Sequence, residues 1–221
     1  DGSAAVCELD AYLLRHNFGD TLARQSEHYY RKMHLDQDTQ HAGEGVANPH
    51  ERVSFKHHIT QSDLLLDDVQ RMLFLDSLVD GEAVTPLRNY VLRPADDHAT
   101  HVTFSCEQGN VSIDKRITVS GKRLRVSYQF NGEMQGQFQT EINLAMPSCD
   151  GPAGRFVFND QIPGGFGQAL RFEKAKKLDL QDEVLGGGIS LHLNAPALIQ
   201  SQPHFSVSQS EAGFEKIMQA V

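Results

Sequence analysis

Between residues 101 and 146 the side chains alternate between apolar and polar, and nothing else in this sequence restricts its fold as strongly. In "HVTFSCEQ", Val102, Phe104 and Cys106 alternate with polar neighbours. In "VSIDKRITV", Val111, Ile113, Ile117 and Val119 point one way, with Asp114, Arg116 and Thr118 on the other side. Ser120-Gly121-Lys122 reads as a turn, after which Leu124, Val126, Tyr128 and Phe130 alternate with Arg125, Ser127 and Gln129. A period of two marks strands with one buried and one wet face, so the stretch predicts an antiparallel hairpin. A second turn is expected at Asn131-Gly132. Beyond it, "GQFQTEINLAMP" sets Phe138, Ile142, Leu144 and Met146 inward and Glu141 and Asn143 on the opposite face.

Further strands are predicted at 155–159, 168–173 and 189–193, divided by Gly- and Pro-rich turns at 163–167 and 186–188. Short strands punctuated in this way build a sandwich or a barrel. The first 35 residues are the least β-like: Asp20 is placed to cap a helix carrying Leu22, Ser26, Tyr29, Tyr30 and Met33 on one face. Residues 36–50 read as a polar surface loop, and 63–80 are apolar without a period that separates helix from strand. At the end, "VSQSEAGFEKIMQAV" has the form of a capping box at Ser208 and Glu211, with Phe214, Ile217 and Met218 at helical intervals. The β context favours a turn over Ser208–Gly213 and a last strand over Phe214–Gln219. One domain over 1–221 is expected: a strand plus helix in 1–35, the loop at 36–50 and the sandwich at 51–221.

The chain has 221 residues, room for a real core, and 20 Lys+Arg against 29 Asp+Glu give a formal charge of −9. That sign is ill suited to phosphate backbones or anionic lipid, and no basic stripe interleaved with aromatics is present, so neither nucleic acid nor membrane is an expected partner. No apolar run approaches the roughly 20 residues that cross a bilayer, and no signal-peptide pattern opens the chain. Three scattered cysteines, Cys7, Cys106 and Cys149, make neither a disulfide framework nor a zinc site and fit a reducing cytoplasm. The start "DGSAAVCELD" has no Met, and a piece of a longer protein is expected.

Eleven histidines invite a metal reading, but His57 and His58 are adjacent, which in a strand points them to opposite faces. No HExxH occurs, and His98 and His101 lack an accompanying carboxylate at helical spacing. The glycine-rich "GGFGQA" and "GGGIS" have neither phosphate-loop form and read as β-turns. No GxSxG is present, and position alone cannot pair two carboxylates across a cleft. No catalytic residue, metal or cofactor is assigned.

Four stretches together resemble one known arrangement: "ELDAYLLRHNFGDTLARQSEHYYRKM" (8–33), "ERVSFKHHI" (51–59), "TEINLAM" (140–146) and "VSQSEAGFEKIMQ" (207–219). In content and order they are similar to the C-terminal β-sandwich of glycoside hydrolase family 57, the α-amylases and 4-α-glucanotransferases. Tyr30 stands where that family usually has His, Gln25 where a second Arg is common, and His57 where an acidic residue is common. The resemblance implies a mostly β fold, an antiparallel, galactose mutarotase-like supersandwich with a short N-terminal helix. It also implies a role. The family's two catalytic carboxylates lie in an N-terminal barrel, so this chain is expected to do no chemistry, to pack on that barrel as its partner and to be a candidate contact for α-glucan. The alternative is a free-standing carbohydrate-binding or mutarotase-like module.

Five residues are candidates for sugar or interdomain contact. Glu141 and Asn143 carry short hydrogen-bonding groups on the polar face of their strand, where pairing across the sheet is the competing role. Arg52 and His58, six apart, share a face of a regular strand. Glu211, beside Gly213, is a candidate contact whose competing role is bonding local backbone donors.

Overall fold

The computed structural model describes residues 2–32, 58–94, 99–149, 151–211 and 213–221. The described residues are mostly strand, with only short 3-10 helices, in antiparallel sheets that form no closed barrel among them, so the fold is the mostly β sandwich class expected. The chain divides into two compact units, Asp1–Asp20 with Met72–Leu144, and Thr21–Arg71 with Ala145–Val221.

In the first unit a small ribbon pairs β1 (Asp10–Ala11) with β2 (His16–Asn17). One sheet then joins β3 (Leu73–Asp80), β4 (Ala83–Pro86) and β9 (Gln137–Ile142) in the order β4-β3-β9. The other runs β5 (Val91–Leu92), β6 (His101–Gln108), β7 (Val111–Ser120) and β8 (Arg123–Gly132) in chain order. This meander is the hairpin that the alternation predicts, with Ile113 facing Phe130 and Ile117 facing Val126. Gly121, at φ +57°, makes the turn between β7 and β8. Asn131-Gly132 is not a turn: both residues pair in β8, Gly132 opposite Val111. Gly132 (φ +103°) is required there, because a Cβ would lie 2.1 Å from the Asn110 carbonyl oxygen. The core between the sheets holds Leu87, Tyr90, Cys106, Val111 and Ile113, with Leu78, Phe104, Tyr128 and Phe138 packed on it.

In the second unit β10 (Gly154–Phe158), β11 (Gln161–Gly165), β12 (Leu170–Asp182) and β13 (Gly187–Ser201) form a sheet in the order β11-β10-β12-β13. Phe156, Phe166 and Phe172 pack beneath it, with ring centroids 5.2 and 5.6 Å from that of Phe156. The expected strands at 168–173 and 189–193 are fragments of much longer ones, and Pro163–Gly165 lies within the edge strand β11 rather than in a turn. A hairpin of β14 (His204–Ser210) and β15 (Gly213–Ala220) closes the chain. Val207 and Phe214 from it join Ile59 in a core to which Tyr29, Tyr30 and Leu64 add. The last segment is therefore a strand, as expected, but Ser208–Ser210 belong to β14 rather than to the turn.

The helix expected after Asp20 does not form. Residues 21–27 have no regular structure, and only a short 3-10 helix, His28–Lys32, follows. The backbone groups that a helix would use are taken by tertiary bonds. The Arg24 N–H donates to Asp67 Oδ2 at 2.7 Å, and the Arg24 carbonyl accepts from the Asp67 N–H at 3.1 Å. Tyr29 sends its hydroxyl to the Val207 carbonyl at 2.9 Å. Met33, the loop at 36–50 and most of the strand expected at 51–59 lie outside the described residues, while His58 and Ile59 are not in a strand. Among the described residues no helix is long and apolar enough to cross a membrane.

Candidate functional site

Of the five candidates, Glu141 and Asn143 are brought together in the first unit. Glu141 is half-buried on β9, and Asn143 follows the strand's end with 6% of its surface exposed. Asn143 is thus interior rather than on a wet face. Its Nδ2 donates to Glu141 Oε1 and to the Met72 carbonyl, each at 2.9 Å, while its N–H donates to the same carbonyl at 3.3 Å. One side chain thereby satisfies the backbone where β3 begins and holds the Glu141 carboxylate.

The β3–β9 register slips between Leu73 and Leu75, and the bulged Phe74 sits at φ +64°, a conformation a bulky residue adopts only under constraint. The Phe74 carbonyl accepts from Lys115 Nζ at 2.6 Å. Lys115 is fully buried on β7 and pairs with Asp76 Oδ2 at 2.8 Å. Asp76 also accepts from the hydroxyls of Tyr90 (3.0 Å) and Tyr128 (2.7 Å), whose rings lie 5.5 and 5.7 Å from the ammonium. Burial pushes the Lys115 ammonium below its ordinary range, against the pull of Asp76. Burial raises both phenols, and the neighbouring Asp76 adds to it, so both remain protonated donors. The network is satisfied internally and turns no reactive group outward.

In the second unit His58 is exposed ahead of the buried Ile59. Glu211 is exposed where the chain reverses between the paired Ser210 and Gly213, and Ser210 Oγ donates to the Gly213 carbonyl at 3.0 Å. Arg52 lies outside the described residues. The polar centre of this unit is instead Asp67, reached by Arg24 (3.1 Å), Arg71 (2.5 Å) and His204 (3.2 Å). Burial alone would raise its carboxyl, but hydrogen bonds from Arg71 and Arg24 outweigh that and hold it well below the usual carboxylate range. A second buried carboxylate, Asp182, accepts from the Ser148 N–H and Oγ and from the Leu185 N–H, fixing the turn after β12.

Sequence reading missed these centres. Lys115 left a signal, since it shares the inward register of Val111, Ile113 and Ile117, but Asp76 and Asp67 find their partners only through the fold. Among the described residues no cluster of three or more His, Cys, Asp or Glu side chains is placed to hold a metal ion.

Comparison with known proteins bears on the whole chain. The family described as "Alpha-amylase/4-alpha-glucanotransferase, C-terminal" matches residues 1–221. A 4-alpha-glucanotransferase of Thermococcus kodakarensis is 24% identical over 98% of the chain, and an alpha-amylase of Pyrococcus abyssi is 23% identical over 98%. The crystal structure of the 4-alpha-glucanotransferase from Thermococcus litoralis superposes with a TM-score of 0.66 at 20% identity, covering 99% of the chain. In each case the chain spans 33% of the other protein. With its full length matched and its sandwich class shared, this chain belongs to the C-terminal domain family of α-amylase and 4-α-glucanotransferase.

Proposed function

We propose that the chain is the non-catalytic accessory domain of an α-glucan-acting enzyme, packed against a catalytic part that supplies the reacting carboxylates. The extent of the match carries this reading: a C-terminal family covers residues 1–221, and the chain answers to only 33% of each relative. The inward use of the buried charges supports it. So does the turn between β1 and β2, where Tyr12 and Leu13 are 87% and 78% exposed, adjacent apolar side chains suited to being covered by another surface.

Contact with α-glucan is a second part of the proposal. His58 and Glu211, exposed, and Glu141, held by Asn143, are its contacts to glucan or to the catalytic part, with Arg52 retained on the sequence argument. Among the described residues no disulfide joins Cys7, Cys106 or Cys149, which supports a reducing, cytoplasmic setting.

The test compares the 221-residue chain with the longer gene product in assays of glucan hydrolysis and transfer. The chain alone is expected to turn over nothing, and activity is expected once the upstream part is present. Turnover by the chain alone would overturn the proposal. In the longer protein, Tyr12→Asp with Leu13→Asp is expected to loosen the two parts, read as faster proteolysis between them with each part still folded.

A further inference from the structure

The face of the β10–β12–β13 sheet that turns away from its phenylalanine core is not used by anything described above. Strand alternation puts Phe156, Leu178 and Leu180 beneath it, so Arg155, Lys177, Asp179 and Gln181 project from the other side. The register lines them up across strands: Arg155 opposite Gln181, Gln181 opposite Gly188, and Asp179 opposite Ser190. With Glu183 and the backbone of Gly186–Gly188 they line an open groove of ≈ 530 Å³. The notch is a property of the backbone. Gly188 offers Gln181 no opposing side chain, and it admits none, because a Cβ there would sit 1.9 Å from the Leu180 carbonyl oxygen.

The lining is pre-arranged. Asp179 accepts from Lys177 Nζ and from Ser190 Oγ, each at 2.6 Å. Arg155 donates through Nε to Gln181 Oε1 at 3.3 Å and through Nη1 to Glu183. These bonds hold the side chains yet leave capacity facing solvent. The Gln181 NH2 donates to no described residue, and the Ser190 hydroxyl oxygen retains lone pairs to accept. Arg155 and Lys177 balance Asp179 and Glu183. The third carboxylate of the lining, Asp182, is buried and taken up by Ser148 and Leu185. The groove's projecting side chains therefore have no net preference for an anion or a cation. Its side chains offer donors and acceptors side by side and no aromatic platform.

We infer that this groove binds a neutral polyhydroxyl chain, an α-glucan oligosaccharide, through hydrogen bonds to Gln181, Ser190 and the Arg155–Glu183 pair. The identity of the ligand rests on the accessory role proposed above. Vicinal hydroxyls both donate and accept, which a charge-balanced row of carboxylate, amide and guanidinium matches. Without ring stacking, affinity is on the order of millimolar.

The experiment titrates the isotopically labelled chain with maltotriose and maltoheptaose, with sodium sulfate as the charged control, and follows backbone amides by NMR. Shifts confined to Arg155 and residues 177–190 are expected with the sugars and not with sulfate. The double substitution Gln181→Ala with Ser190→Ala is expected to weaken binding by about tenfold, with the remaining spectrum unchanged as the check on folding. No shift in that region up to roughly 50 mM sugar, or equal shifts in the double variant, overturns the inference. So does protection of these amides in the longer protein whether or not sugar is present, which would make the groove an interdomain contact. A flat titration removes the groove even where the chain is inactive alone. Localised, Gln181-dependent shifts support it even where the chain proves catalytic, so the two proposals fail separately.

Discussion

Lys115 has no exposed surface, yet its ammonium meets a carboxylate, a carbonyl and two aromatic faces. An ion pair in that setting contributes little over an apolar pair of the same volume, but breaking it by removing one member leaves a stranded charge. Lys115→Met keeps the bulk of the side chain and abandons Asp76 among two phenols. The expected loss is about 3–5 kcal/mol, read from urea unfolding monitored by tyrosine signals. A loss under about 1 kcal/mol would mean that the buried pair does not define the fold. Half of this centre was legible in the sequence. A lysine in register with Val111, Ile113 and Ile117 announces a buried charge; its carboxylate, on β3, is chosen by sheet packing that no local pattern encodes. Asn143 misled for a related reason: alternation placed it on the wet face, but β9 ends at Ile142 and the period lapses with it.

Among the elements, strand existence was easier to read than strand extent. On β12 the buried residues are Phe172, Ala175, Leu178, Leu180 and Asp182, and the first intervals are three rather than two. Irregularities around Ala175, with Lys174 at φ +50°, cause this. The first inserts one residue into β12, between Phe172 and Ala175, and the second leaves extra residues on β13, between His192 and Ala197, so a long strand looks from sequence like a short one followed by noise. The helix expected after Asp20 failed in the other direction, its local signals overridden by the bonds of Arg24 and Tyr29 to distant segments. Between β10 and β11 the chain turns at Asn159 and Asp160, with φ of +50° and +60°, the conformation of a two-residue hairpin turn in which Asn and Asp are tolerated. Asn159→Val puts a β-branched side chain into that region and is expected to cost about 1–2 kcal/mol, whereas Asn159→Gly is expected to be nearly neutral. Equal losses for the two variants in urea unfolding would show that the Asn side chain, not its backbone, makes the turn.

At the scale of the molecule, four short motifs in fixed order, spread over 8–219, carried the family, because order survives where overall identity falls to 24%. The arrangement of charge was not readable in that way, and it makes its own prediction. Asp63, Asp67, Asp179 and Asp182 are all held below the usual carboxylate range, and all four belong to the second unit. In each, burial would raise the carboxyl, and donors outweigh it: Lys216 and Thr60 for Asp63, Arg71 and Arg24 for Asp67, Lys177 and Ser190 for Asp179, Ser148 and Leu185 for Asp182. A carboxyl with a lowered folded-state pKa binds its proton more readily in the unfolded chain. Its stabilisation is therefore complete above the unfolded value near pH 4 and drains away as the pH falls below it. The second unit is expected to lose stability on acidification from about pH 5 to about pH 3, seen as amide protection in β12 to β15 that falls relative to the intrinsic exchange rate at each pH. Asp67→Asn is expected to be less stable than the native chain at neutral pH, with the gap narrowing in acid, since protonation does to Asp67 what the substitution has already done. A gap that stays constant across that range would mean that the Asp67 charge contributes nothing to the fold, and that its arginine partners hold it by geometry alone.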